Sequence, residues 1–143
     1  MGTSDLSEKL GLPRLLARVF APGGLAVLMY HGVARSSLLV RDLDIVLSAR
    51  FHEQAAYLAR YYHVLPMGSA VRRLKAGELG DGRQTVAVTF DDGYQNMHDV
   101  PLPTLREFGL PAAVFLTTAL VGTDGYLWPS RLHEPLVRCG NAN

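Results

Sequence analysis

Residues 85–94, Thr-Val-Ala-Val-Thr-Phe-Asp-Asp-Gly-Tyr, decide how the rest of this 143-residue chain is read. Val86, Val88 and Phe90 alternate with Ala87 and Thr89, and this apolar, β-branched run predicts a strand buried on both faces. Asp91 and Asp92 stand at its C-terminal end, where α/β folds place their chemistry. Two adjacent carboxylates at the mouth of a buried strand repel each other unless a metal ion or a proton neutralises one. Gly93 lets the backbone leave through a conformation closed to other residues. The competing reading is a solvated Asp-Asp-Gly turn.

Toward the N-terminus, Leu25–Tyr30 is a short apolar run that predicts the first buried strand, with His31-Gly32 at its exit. A histidine there either points into the same mouth as the aspartates or hydrogen-bonds a loop and orients it; imidazole suits both tasks near neutral pH. Arg35 to Asp44 is polar and irregular, a loop on the substrate side. A helix is predicted from Ser48 to about Tyr61, with Phe51, Ala55, Leu58 and Tyr62 on one face and His52 and Glu53 on the surface. His63–Leu65 reads as a brief strand. Ser69 is expected to cap a further helix with Val71 and Leu74 inward and Arg72, Arg73 and Lys75 in solvent.

Beyond the central stretch, Pro103 fits the first turn of a helix that carries Leu105 and Phe108 and stops at Gly109. Pro111–Thr117 reads as the next strand, and Trp128-Pro129 opens a last helix over about Ser130–Arg138. Residues 1–24 form an arm with two short helical patterns, closed by Ala21-Pro22-Gly23-Gly24.

At 48% hydrophobic, the chain holds one core and is too short for two ordinary domains. A net charge of +1 with 19% charged residues supplies no long-range field toward nucleic acid or an anionic membrane. The single cysteine, Cys139, excludes an internal disulfide. No uninterrupted apolar run reaches the roughly 18 residues of a membrane span. Asp5, Glu8, Pro13 and Arg14 spoil the pattern of a secretory leader, so the chain is read as soluble and, by default, cytoplasmic.

Strands alternating with helices predict parallel β/α units, of which about three or four are present, against the roughly eight of a full barrel. TFDDGY resembles the first motif of the NodB-type polysaccharide deacetylases, the fourth carbohydrate esterase family. LMYHGV at Leu28–Val33 looks like the first-strand pattern of one branch of that family. FGLPAAVFLTT at Phe108–Thr118 looks like the strand that follows the first motif, and Gly-Tyr-Leu-Trp at Gly125–Trp128 is in the same style. The resemblance runs from about Leu25 to Leu132. It implies a distorted (β/α) barrel, of which residues 25–143 look like a truncated N-terminal part.

The resemblance also implies a chemistry: metal-dependent hydrolysis of an N-acetyl amide on a carbohydrate polymer. It makes Asp91 the general base, Asp92 a ligand to a divalent metal, often zinc, and His31 and Tyr94 residues that line the site or bind substrate. The family takes two more ligands from a pair spaced His-Ser/Thr-x-x-x-His. None of His31, His52, His63, His98 and His133 has a partner at that spacing. The later Arg-x-Pro-Tyr and general-acid histidine motifs are absent as well. His98-Asp99 and His133-Glu134 read as surface polar pairs. The metal site is therefore expected to be incomplete within this chain. A non-catalytic remnant, acting as a carbohydrate-binding or interaction module, is the alternative. A phosphohydrolase would need its carboxylates two residues apart to face the same way, and here they are adjacent. Half a barrel leaves a sheet edge open to self-association.

Overall fold

The computed structural model describes residues 24–36, 45–79 and 83–127. The expected arm, the loop over 37–44 and the last helix, with His133 and Cys139, lie outside these residues. In chain order the elements are β1 (Leu25–Tyr30), β2 (Gly32–Ala34), β3 (Ile45–Leu47), α1 (Ser48–Tyr61), β4 (His63–Val64), α2 (Met67–Ala76) and β5 (Thr85–Phe90). A 3-10 turn at Gln95–Met97, α3 (Pro101–Glu107), β6 (Ala112–Val114) and a second 3-10 turn at Thr118–Leu120 follow.

All six residues of β5 are buried, as an apolar strand with neighbours on both edges requires. On one edge β1 runs parallel to it along its whole length, with Leu25 opposite Thr85 and Tyr30 opposite Phe90. Two short parallel strands share the other edge: β4 beside Thr85 and Val86, and β6 beside Val88 to Phe90. The three strands expected to be parallel and adjacent are so. The sheet is open among the described residues, an α/β arrangement with no closed barrel.

Alternation sorts the two faces of this sheet. Ala26, Val86, Val88 and Phe90 join Phe51, Ala55, Leu58 and Leu105 in the core, with Leu28 and Tyr30 packed against it. At its centre Tyr30 stacks on Phe90 at 5.3 Å, and Phe51 meets both rings edge-on at 5.2 and 5.8 Å. Such pairs add about 1 kcal/mol each to the burial of their area. On the opposite face Ala87 and Thr89 are buried, yet Val27 and Met29 of β1 are 46% and 60% exposed.

Three local expectations are corrected. Helix α2 starts at Met67 after Pro66, not at a Ser69 cap: Pro66 holds φ near −54° and its carbonyl accepts the Ala70 N–H at 2.9 Å. The residue that α2 buries is the small Ala70, while Leu74 stays 46% exposed. Pro103 lies in the first turn of helix α3, as expected, and the helix opens at Pro101, because proline at the first helical position surrenders an N–H that has no partner there anyway. Strand β6 stops at Val114 instead of Thr117. Parallel pairing of β2 with β3 also went unforeseen, since three-residue strands carry too little periodicity to read. No helix among the described residues is long and apolar enough to cross a membrane.

Candidate active site

The parallel register of β1 and β5 delivers His31 and Asp91 side by side at the same C-terminal edge of the sheet. The Asp91 N–H donates to the Tyr30 carbonyl at 2.8 Å, which carries the ladder one step past the strands. His31 and Asp91 are the next positions, after Met29 and Thr89, on the face that turns away from the aromatic core.

The turn that follows is unusual. Asp92 has φ 70° and Gly93 has φ 67°, and Asp92 is the single non-glycine residue with positive φ among the described residues. Aspartate tolerates this region better than most residues, at a cost of about 1 kcal/mol. The Gly93 N–H closes back on the Asp91 carbonyl at 2.9 Å. Strain of this kind persists where surrounding structure holds it, and here the segment leaving β6 does so. The Phe115 N–H donates to the Phe90 carbonyl at 2.8 Å. Leu116 lies so close to Gly93 that a Cβ there would collide with it. The Thr117 hydroxyl donates to Asp92 Oδ1 at 3.4 Å.

A second set of contacts ties the His31 loop to the residues after the turn. Tyr94 lies over Gly32, with its Cδ2 3.9 Å from where a Cβ on that glycine would stand. Asn96 Nδ2 donates to the Val33 carbonyl at 2.8 Å, and the Arg35 guanidinium donates to the Asp99 carbonyl at 3.1 Å. Neither Asn96, Arg35 nor Thr117 stood out in the sequence, because each acts on a partner remote in the chain. His98 and Asp99 form an exposed pair at 2.8 Å, as expected. His52 is likewise on the surface, where it meets Glu107 at 3.1 Å and the ring of Phe108.

Whether these residues suit a divalent metal is a question of donor count. Asp92, with one oxygen held by a hydroxyl donor, fits a single carboxylate ligand. Catalytic zinc ordinarily draws on three protein ligands, and no three His, Cys, Asp or Glu side chains gather suitably among the described residues. The described residues do not make a complete metal site.

Comparison with known proteins agrees with this fold. Residues 79–138 match the family model for polysaccharide deacetylase. YxkH of Bacillus subtilis strain 168, whose name places it with the polysaccharide deacetylases, is 24% identical over 114 residues, covering 79% of this chain and 39% of its own length. The Streptococcus pyogenes deacetylase PplD, solved in complex with acetate, superposes with a TM-score of 0.64 at 26% identity, over 80% of this chain and 52% of that one. IcaB from Ammonifex degensii gives a TM-score of 0.59 at 28% identity, over 71% and 42%. This chain thus spans about two fifths of the curated relative and about half of PplD. By sequence and by fold, the chain matches the polysaccharide deacetylase family over a part of the NodB-type fold.

Proposed function

We propose that this chain supplies the carboxylate side of an active site that removes acetyl groups from an N-acetylated polysaccharide, one containing N-acetylglucosamine. The observation that carries the reading is the Asp91-Asp92 turn at the C-terminal end of a fully buried strand, with His31 on the neighbouring strand end. Asp91 acts as general base. It takes a proton from a water whose oxygen attacks the acetamide carbonyl carbon; the tetrahedral intermediate then collapses as that proton passes from Asp91 to the nitrogen, the C–N bond breaks, and a free amine and acetic acid leave, the acid ionising to acetate. The acetate in the PplD structure is the product expected of such a hydrolysis. His31 and Tyr94 line the site and present an imidazole and a phenol to sugar hydroxyls. Asp92 serves as one ligand to a divalent cation, zinc by the family's habit, and the nitrogen ligands that zinc favours come from outside the described residues.

The donor count favours a second reading, a module of the same fold that binds carbohydrate without hydrolysing it. One experiment separates them. Acetate release from chitin oligomers is measured with zinc, alone and after adding a family polypeptide that carries the His-Thr-x-x-x-His segment. Release that requires the addition and disappears in Asp91→Asn and Asp92→Ala supports the enzyme. Binding of the oligomers with no release under either condition supports the module.

A further inference from the structure

We propose that Tyr57, Arg60, Tyr61 and Tyr62 form a second carbohydrate-binding surface, one that takes a sugar ring of an N-acetylglucosamine polymer at the end of the sheet opposite the Asp91-Asp92 turn. The proposal rests on the reading that the ligand of this chain is such a polymer. Tyr57, Arg60 and Tyr61 lie at the C-terminal end of α1, and Tyr62 is the residue that leaves the helix. Four positions apart, Tyr57 and Tyr61 share a helix face, and their ring centroids stand 4.7 Å from each other. Tyr57 also meets the Tyr62 ring at 5.9 Å, and the Arg60 guanidinium lies 5.3 Å from the centroid of Tyr61. The next residue, His63, pairs with Thr85, the first residue of β5. The cluster is thus a strand's length, about 20 Å, from the aspartate turn.

Packing accounts for one part of this cluster. Tyr62 is half-buried against the core, and Tyr57 leans on it. Tyr61 stays 41% exposed beside an exposed Arg60, at an outer position where helices ordinarily carry polar side chains. An aromatic ring next to a guanidinium matches the two sides of a pyranose. The C–H groups on one sugar face are slightly positive and meet the negative face of a ring. Hydroxyls and the acetamide carbonyl at the sugar rim accept from the N–H donors of arginine and from phenolic O–H groups. A purely apolar partner would leave those donors unused, and a small anion would leave the rings unused. A polymer held at the aspartate turn extends past it, and a second anchor on the same molecule raises the local sugar concentration at the first.

The test is co-sedimentation of the whole chain with insoluble chitin, read as an apparent Kd, beside the urea midpoint of each protein. Tyr61→Ala removes the exposed ring, and Tyr61→Trp keeps an aromatic face. The expected result is binding weakened about 3- to 10-fold in Tyr61→Ala and at least as tight as wild type in Tyr61→Trp, with the urea midpoint little changed in both. Unchanged binding in Tyr61→Ala overturns the proposal. So does a loss that Tyr61→Trp fails to restore, or one that tracks a lowered urea midpoint. Tyr94→Ala, at the other end of the sheet, separates the two levels. If wild type does not bind chitin, the polymer reading fails and this surface with it. If Tyr94→Ala loses binding and Tyr61→Ala keeps it, this surface alone fails.

Discussion

The Asp91 N–H donates to the Tyr30 carbonyl at 2.8 Å, one residue past the last paired positions of β1 and β5. This bond joins the candidate site to the aromatic core, because the Tyr30 side chain lies between Phe51 and Phe90 while its backbone holds Asp91. Any loosening of β1 against β5 therefore moves His31 relative to both aspartates.

Tyr30 gives this junction a measurable pH dependence. Its hydroxyl donates to Gln54 Oε1 at 3.1 Å, and burial pushes its pKa up to about 12. The fold favours the neutral phenol, whereas an unfolded tyrosine ionises near pH 10. The stabilisation is complete below about pH 10 and is lost as pH rises through about 12. Tyr62 is shifted upward too, chiefly by partial burial and then by Tyr57. Urea midpoints measured from about pH 8 to about pH 12 should fall steeply in wild type and less steeply in Tyr30→Phe. At neutral pH the same variant should lose about 1 kcal/mol with its hydrogen bond. Parallel alkaline slopes in the two proteins would refute the assignment.

Gly93→Ala is expected to destabilise by about 1–2 kcal/mol from its positive φ, with a further cost from the collision of the new methyl with Leu116. Only the collision is relieved by Leu116→Ala. A double-mutant cycle on urea midpoints should thus show the pair costing less than the sum of its parts, by at least about 0.5 kcal/mol. Strict additivity would mean that Leu116 does not press on the turn.

Asn96 carries a sharper contrast. Its Nδ2 satisfies the carbonyl of the fully buried Val33, while its Oδ1 is buried without a partner among the described residues. Asn96→Ala should cost about 1–3 kcal/mol by stranding the Val33 carbonyl. Asn96→Asp should cost more at neutral pH, since a carboxylate only accepts and would face that carbonyl with a like partial charge. Chemical denaturation of both variants checks the order. An Asn96→Asp protein as stable as wild type would show the Val33 carbonyl to be served by solvent.

How far the chain could be read without its structure follows from the range of each signal. Leu25–Tyr30, Thr85–Phe90 and Ser48–Tyr61 were legible because alternation or helical spacing within each run dictates its element. The aspartate pair was legible because it abuts such a run. Thr117 on Asp92 spans 25 residues and Asn96 on Val33 spans 63, and a threonine or asparagine in a loop announces nothing about so distant a partner. Pro66 opens the helix for which Ser69 is the expected cap, since proline commits φ locally while a cap needs the turn already formed. Exposure of Leu74 was illegible for another reason: helical spacing marks an apolar stripe but not how far the neighbouring sheet extends beneath it.

The face of β1 that points away from α1 is apolar and open to solvent. Val27 and Met29 lie there, 46% and 60% exposed, on a strand paired along one edge only among the described residues. Exposed apolar side chains beside an open strand favour association with another polypeptide, and in a solution of this chain alone the available polypeptide is a second copy. Sedimentation velocity should show a weight-average mass that rises with concentration. Met29→Lys puts a charge on the face without touching the aromatic core, so it should shift association toward monomer by about tenfold, a 1.4 kcal/mol difference, with the urea midpoint little changed. A wild-type chain that sediments as a monomer at every concentration, like Met29→Lys, would show that this face does not mediate self-association.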